Sequence, residues 1–139
     1  MKHIKKIALF LSIFACSYSN SQSLPINFDG TAVTTSDFID FDGGLAIVSA
    51  NPLVAGINVS DSVACLVRNG GAVYAGSKIA LSANLDFSVL SKITMKVYTT
   101  APVGTIVKFK LEGTGTNTEI DAYTTTSGAW ETLEWVFAG

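Results

Sequence analysis

The chain is 139 residues long, 48% hydrophobic and 14% charged, with nine Lys and Arg against eleven Asp and Glu. That length fits one domain. The acidic balance excludes nucleic acid as a partner, and also polyanions held by bulk electrostatics.

The opening "MKHIKK" is basic, and the following "IALFLSIFA" is an uncharged apolar run. Together they read as a secretory signal peptide over residues 1–23, because the run falls short of the roughly 20 residues that span a bilayer. Cleavage after "SQS" leaves Leu24 as the mature N-terminus. Lipid attachment at Cys16, in "IFAC", is the alternative. Either route predicts a secreted protein or one on the outer cell surface. The leader takes with it His3, the only histidine, and so removes histidine acid–base catalysis and histidine metal ligation. Residues 24–139 then carry six Lys and Arg against eleven Asp and Glu, a formal net charge of −5. Neutral ligands suit such a surface. Cys65, in "SVACLV", is then the sole cysteine and reads as a small buried apolar side chain.

After Leu24 the pattern is short alternating runs. "LPINFD", "VTTSDFIDF", "GLAIVSA", "SVACLVR", "KIALSA" and "TEIDAYTT" are strand candidates, punctuated by "DGG", "NGG", "APVGT", "GTGTN" and "SGA". Three runs have one apolar face. "ITMKVYTT" sets Ile93, Met95 and Val97 against Thr94, Lys96 and Tyr98, and "TIVKFKLE" sets Val107, Phe109 and Leu111 against Lys108, Lys110 and Glu112. "WETLEWVF" sets Leu133, Trp135 and Phe137 against Thr132, Glu134 and Val136. Period two with one apolar face marks half-buried antiparallel strands, and many of them predict an all-β sandwich of jelly-roll type over 24–139. The strong last strand lies close to the end of the sequence and is expected to need covering, so either the domain is compact without another strand or the sequence is a fragment.

Six segments in order, "LPINFDG", "FDGG", "NP…GIN.S..V", "LDFS…ITMKVYT", "G.IVKFKLEG" and "WETLEWVF", carry a resemblance. The chain resembles the β-sandwich carbohydrate-binding domains, galactose-binding-like in architecture, of secreted polysaccharide-degrading proteins of Bacteroidetes. The likeness spans Leu24 to Gly139. It implies a non-catalytic polysaccharide-binding module, monomeric, attached in the intact gene to a catalytic or adhesion domain. Domains of this family continue past the "WETLEWVF" strand, so the resemblance also implies a fragment. It further implies a structural calcium at the N-terminal strand, with Asp29 in "NFDG" and Asp42 in "FDGG" as candidate ligands. In the crossover "NPLVAGIN", Asn51 and Pro52 would end a strand, Gly56 would take a positive φ, and Ile57 would plug the core. Asn58 and Ser60 would satisfy loop backbone groups.

Sugar binding asks for exposed aromatic faces with polar groups beside them. Tyr74 is the leading candidate, in an open setting made by Gly70, Gly71 and Gly76, with Arg68 just before it as a donor to hydroxyls. Tyr98, sharing a strand face with Lys96, and Tyr123, two residues after Asp121, are further candidates. Trp130 and Trp135 are assigned to the core, Trp130 beside a turn. Catalysis finds no support: Glu131 and Glu134 are three apart, on opposite faces of one strand, and cannot flank one glycosidic bond. The rival to a binding module is a structural or adhesive sandwich of a surface protein with no sugar site.

Overall fold

The computed structural model describes residues 22–88, 91–113, 115 and 117–137. Most of the expected leader, Cys16 included, lies outside them. The described chain is all-β and antiparallel, with one short 3₁₀ turn at Thr35–Asp37. Eight strands follow in order: β1 Phe38–Phe41, β2 Gly44–Ala50, β3 Ser62–Arg68, β4 Gly76–Ile79, β5 Lys92–Thr99, β6 Ile106–Leu111, β7 Thr118–Tyr123 and β8 Ala129–Val136. They pair as β1–β4, β2–β3, β5–β8 and β6–β7. The expected "LPINFD" strand does not form. Pro25 offers no backbone donor there; the segment follows a parallel bridge from Gln22 to Leu81 and is tied in by Phe28, stacked on Phe38, and by Asp29, which accepts from the Ser62 N–H.

The main core lies between β5–β8 and β6–β7. Register puts Ile93, Met95 and Val97 on the same face as Trp135, Leu133 and Glu131. It likewise puts Val107 and Phe109 on the same face as Ala122 and Ile120. Ala122, Leu133 and Trp135 are buried, with Val97, Val107, Phe109, Ile120 and Phe137 packed against them. Trp135 is fully buried at 0% exposure. Its indole N–H donates to the Val107 carbonyl at 3.1 Å, and its ring centroid lies 5.3 Å from that of Phe109. A Trp in a core needs such an acceptor, since a buried unpaired N–H is costly.

The other two ladders are joined by a carboxylate. Asp40, on β1, accepts from the Ala46 N–H of β2 at 3.0 Å and from the Ser77 hydroxyl of β4. Glu112, just after β6, accepts from Lys78 of β4 and Lys110 of β6, both at 2.9 Å. Those two ammonium groups, Lys78 first, hold the Glu112 carboxyl at about 2, below the ordinary 4.5. A depressed carboxylate contributes stability in full above its unfolded value and loses it as pH falls through the folded one. Glu112→Gln is therefore expected to lower Tm at neutral pH, with the gap closing as pH drops from about 4.5 toward 2. Thermal unfolding of both proteins across that range measures it; a constant gap would refute the assignment.

Three sequence expectations are corrected here. Cys65 is exposed, not buried, because β3 is uncovered on both faces over its second half, where Leu66 and Val67 are exposed as well. Ile57 does not plug the core and stands 47% exposed. Trp130 is half-buried on the outer face of β5–β8, opposite Tyr98, and takes no part in the main core.

Candidate functional site

The site region begins with a tight turn. Asp42 (φ 52) and Gly43 (φ 95) between β1 and β2 both take left-handed backbone, the arrangement for which Asp-Gly is favoured. The turn then serves as an anchor for the loop after β3. Asn69 N–H donates to the Gly43 carbonyl and Ala72 N–H to the Asp42 carbonyl, each at 3.1 Å. The backbones approach so closely that a Cβ on Gly43 would sit 2.7 Å from the Gly71 Cα. A Cβ on Gly44 would overlap the Gly76 carbonyl. Only glycines permit this contact, which explains why the "NGGAVYAG" stretch is so rich in them.

Ala75 N–H donates to the Ala72 carbonyl at 2.9 Å, closing a four-residue turn with Val73 and Tyr74 at its tip. Both side chains face water, Val73 at 87% exposure and Tyr74 at 65%. Arg68, at the end of β3, reaches back to the Val73 carbonyl at 3.4 Å. Beneath lies a shallow depression of about 100 Å³, with Leu45, Leu66 and Val67 as apolar lining and Arg68 and Ser77 as its polar edge. The arrangement is an exposed phenol ring on a pinned loop whose following residues, Ala75 and Gly76, border the apolar dip. Arg68 thus reaches the loop that carries Tyr74 through the Val73 carbonyl.

The other candidates lie elsewhere. Tyr98 pairs across strands with Trp130, ring centroids 5.6 Å apart. The Trp130 indole N–H donates to the Leu53 carbonyl at 2.7 Å, so this aromatic pair braces the 51–60 crossover. The crossover is otherwise held by its own amides. Asn51 accepts from Leu53 N–H and donates to the Ser60 carbonyl, while buried Asn58 accepts from Ser60 N–H. Gly56 takes the expected positive φ, 60°. The loop's Pro, Gly and Asn content therefore serves its architecture. Tyr123 is exposed on the outer face of β6–β7, in line with Asp121, and meets none of the other candidates.

Asp29 accepts from Ser62 N–H at 3.0 Å, at the start of β3. Asp42 sits by the Gly44–Arg68 end of the same ladder. Seven residue pairs separate those ends, roughly 20 Å at strand rise. One calcium cannot take both side chains, and no group of three or more potential ligand side chains occurs among the described residues. The donor set does not fit a shared ion.

The two carboxylates weighed for catalysis are occupied on opposite faces. Glu134 pairs with Lys92 at 2.7 Å. Glu131 accepts from the backbone N–H and hydroxyl of Thr125 at 2.9 and 2.7 Å, and also from Thr126. The Thr125 hydroxyl leads in holding the Glu131 carboxyl below its usual range. A carboxylate so used clamps a turn.

Two features escaped the sequence reading. Trp130 joins Tyr98 on an outer face, a placement its odd spacing from Trp135 would have signalled. Glu131 is a loop clamp, for which only its position after "TTTSGA" gives a hint. Comparison with protein-family models, with curated proteins and with solved structures gives no match. The resemblance to carbohydrate-binding domains therefore rests on the six sequence segments alone.

Proposed function

We propose that the chain is a non-catalytic glycan-binding module of jelly-roll sandwich type, exported to the cell surface or medium. Its task is to hold an attached catalytic or adhesion domain near a polysaccharide, raising local concentration. The observation that carries this reading is Tyr74, 65% exposed on a loop whose backbone is locked by glycine contacts. Locking matters because a preorganised ring loses little freedom when a sugar stacks on it. Arg68, which reaches the Val73 carbonyl of the same loop, supplies planar donors for hydroxyls.

The test is affinity electrophoresis of the protein against plant and algal polysaccharides. Retardation by at least one glycan is expected, and Tyr74→Ala should weaken it by about tenfold or more, as for a binding hot spot. A folded protein retarded by none of them would overturn the reading. A second reading, a structural or adhesive domain, draws on the uncovered apolar face around Ile47, Cys65 and Val67 on β2–β3. It predicts no retardation and unchanged behaviour of Tyr74→Ala.

A further inference from the structure

The β2–β3 ladder has two edges, and the structure covers them unequally. Asn51 N–H donates to the Asp61 carbonyl just beyond one end of the ladder, and Asn69 N–H to the Gly43 carbonyl just beyond the other. In the register that joins these ends, odd-numbered residues exchange the ladder bonds and even-numbered ones turn their backbone groups outward. On β2 the outward donors are held: Asp40 accepts from Ala46 N–H at 3.0 Å and Thr35 from Val48 N–H at 2.9 Å. On β3 only the two ends are held. Asp29 accepts from Ser62 N–H, and the Arg68 carbonyl accepts from Gly70 N–H. Between them, Ala64 and Leu66 direct N–H and C=O groups away from β2, and these meet no partner among the described residues.

This edge is apolar as well as open. Cys65, Leu66 and Val67 are exposed, and so is Ile47, opposite Cys65. An open apolar edge is a template for one more strand.

We propose that the occupant is a second copy of this chain, its β3 antiparallel to the first about a two-fold axis at Cys65. The held groups select that register. With Cys65 opposite its own copy, Ala64 lies opposite Leu66 of the second copy and Leu66 opposite its Ala64, and four ladder bonds form. Ser62 then faces Arg68 of the second copy. The two groups that meet there, the Ser62 N–H and the Arg68 carbonyl, are the ones each chain already holds internally. An axis at Ala64 or Leu66 would instead set an open residue against a held group and lose bonds. Charge agrees: the register brings Arg68 to the end of the neighbouring strand that Asp61 precedes and Asp29 caps. The dimer replaces the monomer that the family resemblance implies, and it does not depend on the glycan-binding reading.

Sedimentation equilibrium of the protein under reducing conditions is expected to show a dimer that dissociates on dilution. Leu66→Lys puts a charge on the open edge and should raise the dissociation constant about tenfold or more. Ala64→Pro removes one outward donor without touching a β2 bond and should weaken the dimer about as much. Circular dichroism establishes that both variants fold. The axis has a signature of its own. Opposed residues of a non-hydrogen-bonded pair have Cα atoms about 4.5 Å apart, within disulfide range. Diamide should therefore join the two Cys65 thiols. One S–S bond forms, and two protons and two electrons pass to the N=N bond of diamide, giving the hydrazine. The covalent dimer should be reversed by dithiothreitol, absent in Cys65→Ser, and formed about tenfold or more slowly in Leu66→Lys. A protein monomeric at every concentration would overturn the inference. So would a dimer that either folded edge variant leaves unchanged, or one that diamide does not link through Cys65.

Discussion

Trp135→Ala is expected to lower the free energy of unfolding by about 3–5 kcal/mol, the range for deleting a large aromatic from a packed core. Trp135 is the largest fully buried side chain, and it touches both core ladders. Its removal takes away the ring packed on Phe109 and the indole bond to the Val107 carbonyl. Native domains hold only about 5–15 kcal/mol in reserve, so this one change is expected to leave a large unfolded fraction at physiological temperature. Trp135→Phe separates the two losses, because it keeps most of the ring contact and forfeits the indole donor, at about 1–3 kcal/mol. Urea unfolding monitored by circular dichroism measures both. A Trp135→Ala midpoint equal to wild type would place the core elsewhere.

The second large effect is expected from the smallest side-chain addition. Gly44→Ala puts a methyl group into the Gly76 carbonyl, and backbone cannot step aside as a flexible side chain does. Overpacking of this kind costs about 3 kcal/mol or more when no rotamer relieves it. Gly44 does not take a positive φ, so the cost is contact and not backbone strain. Gly56→Ala is the natural comparison. Its added Cβ meets nothing within 4 Å, and its penalty comes from φ 60 alone, about 1–2 kcal/mol. On the proposed glycan-binding reading, Gly44→Ala should also weaken retardation by polysaccharide, since Gly76 follows the loop that carries Tyr74. Thermal unfolding together with affinity electrophoresis reads both consequences. A Gly44→Ala protein as stable as Gly56→Ala would mean that the β2 and β4 backbones do not meet as closely as described.

Strand content was legible in the sequence wherever alternation had one apolar face. The segments around Val107, Phe109, Leu133 and Trp135 bury the side chains that their parity indicates. The same rule, applied to the pair Trp130 and Trp135, places them on opposite faces because they are five apart. Treating both as core aromatics overrode that parity on the strength of residue type. Cys65 and Ile57 were a different difficulty. In "SVACLVR" both faces are apolar, and in "NPLVAGIN" no period exists, so local pattern could not say which side another element would cover. That Arg68 lies close to the loop carrying Tyr74 follows from their spacing. The glycine contacts that fix their loop join Gly43 to Gly71 and Gly44 to Gly76 across 28 and 32 positions, and no local signal reports that.

The opposed tryptophans have a practical consequence for spectroscopy. Trp135 sits in a dry interior beside Phe109, while Trp130 leans on the crossover at the protein's surface. With two tryptophans in the whole chain, the emission divides into one interior and one peripheral fluorophore. A small ionic quencher should reach the second and spare the first. Trp130→Phe would leave a single lamp reporting interior packing, and Trp135→Phe a single lamp reporting the crossover. Local opening of the crossover would then be resolvable, by colour and by quenching, from collapse of the fold.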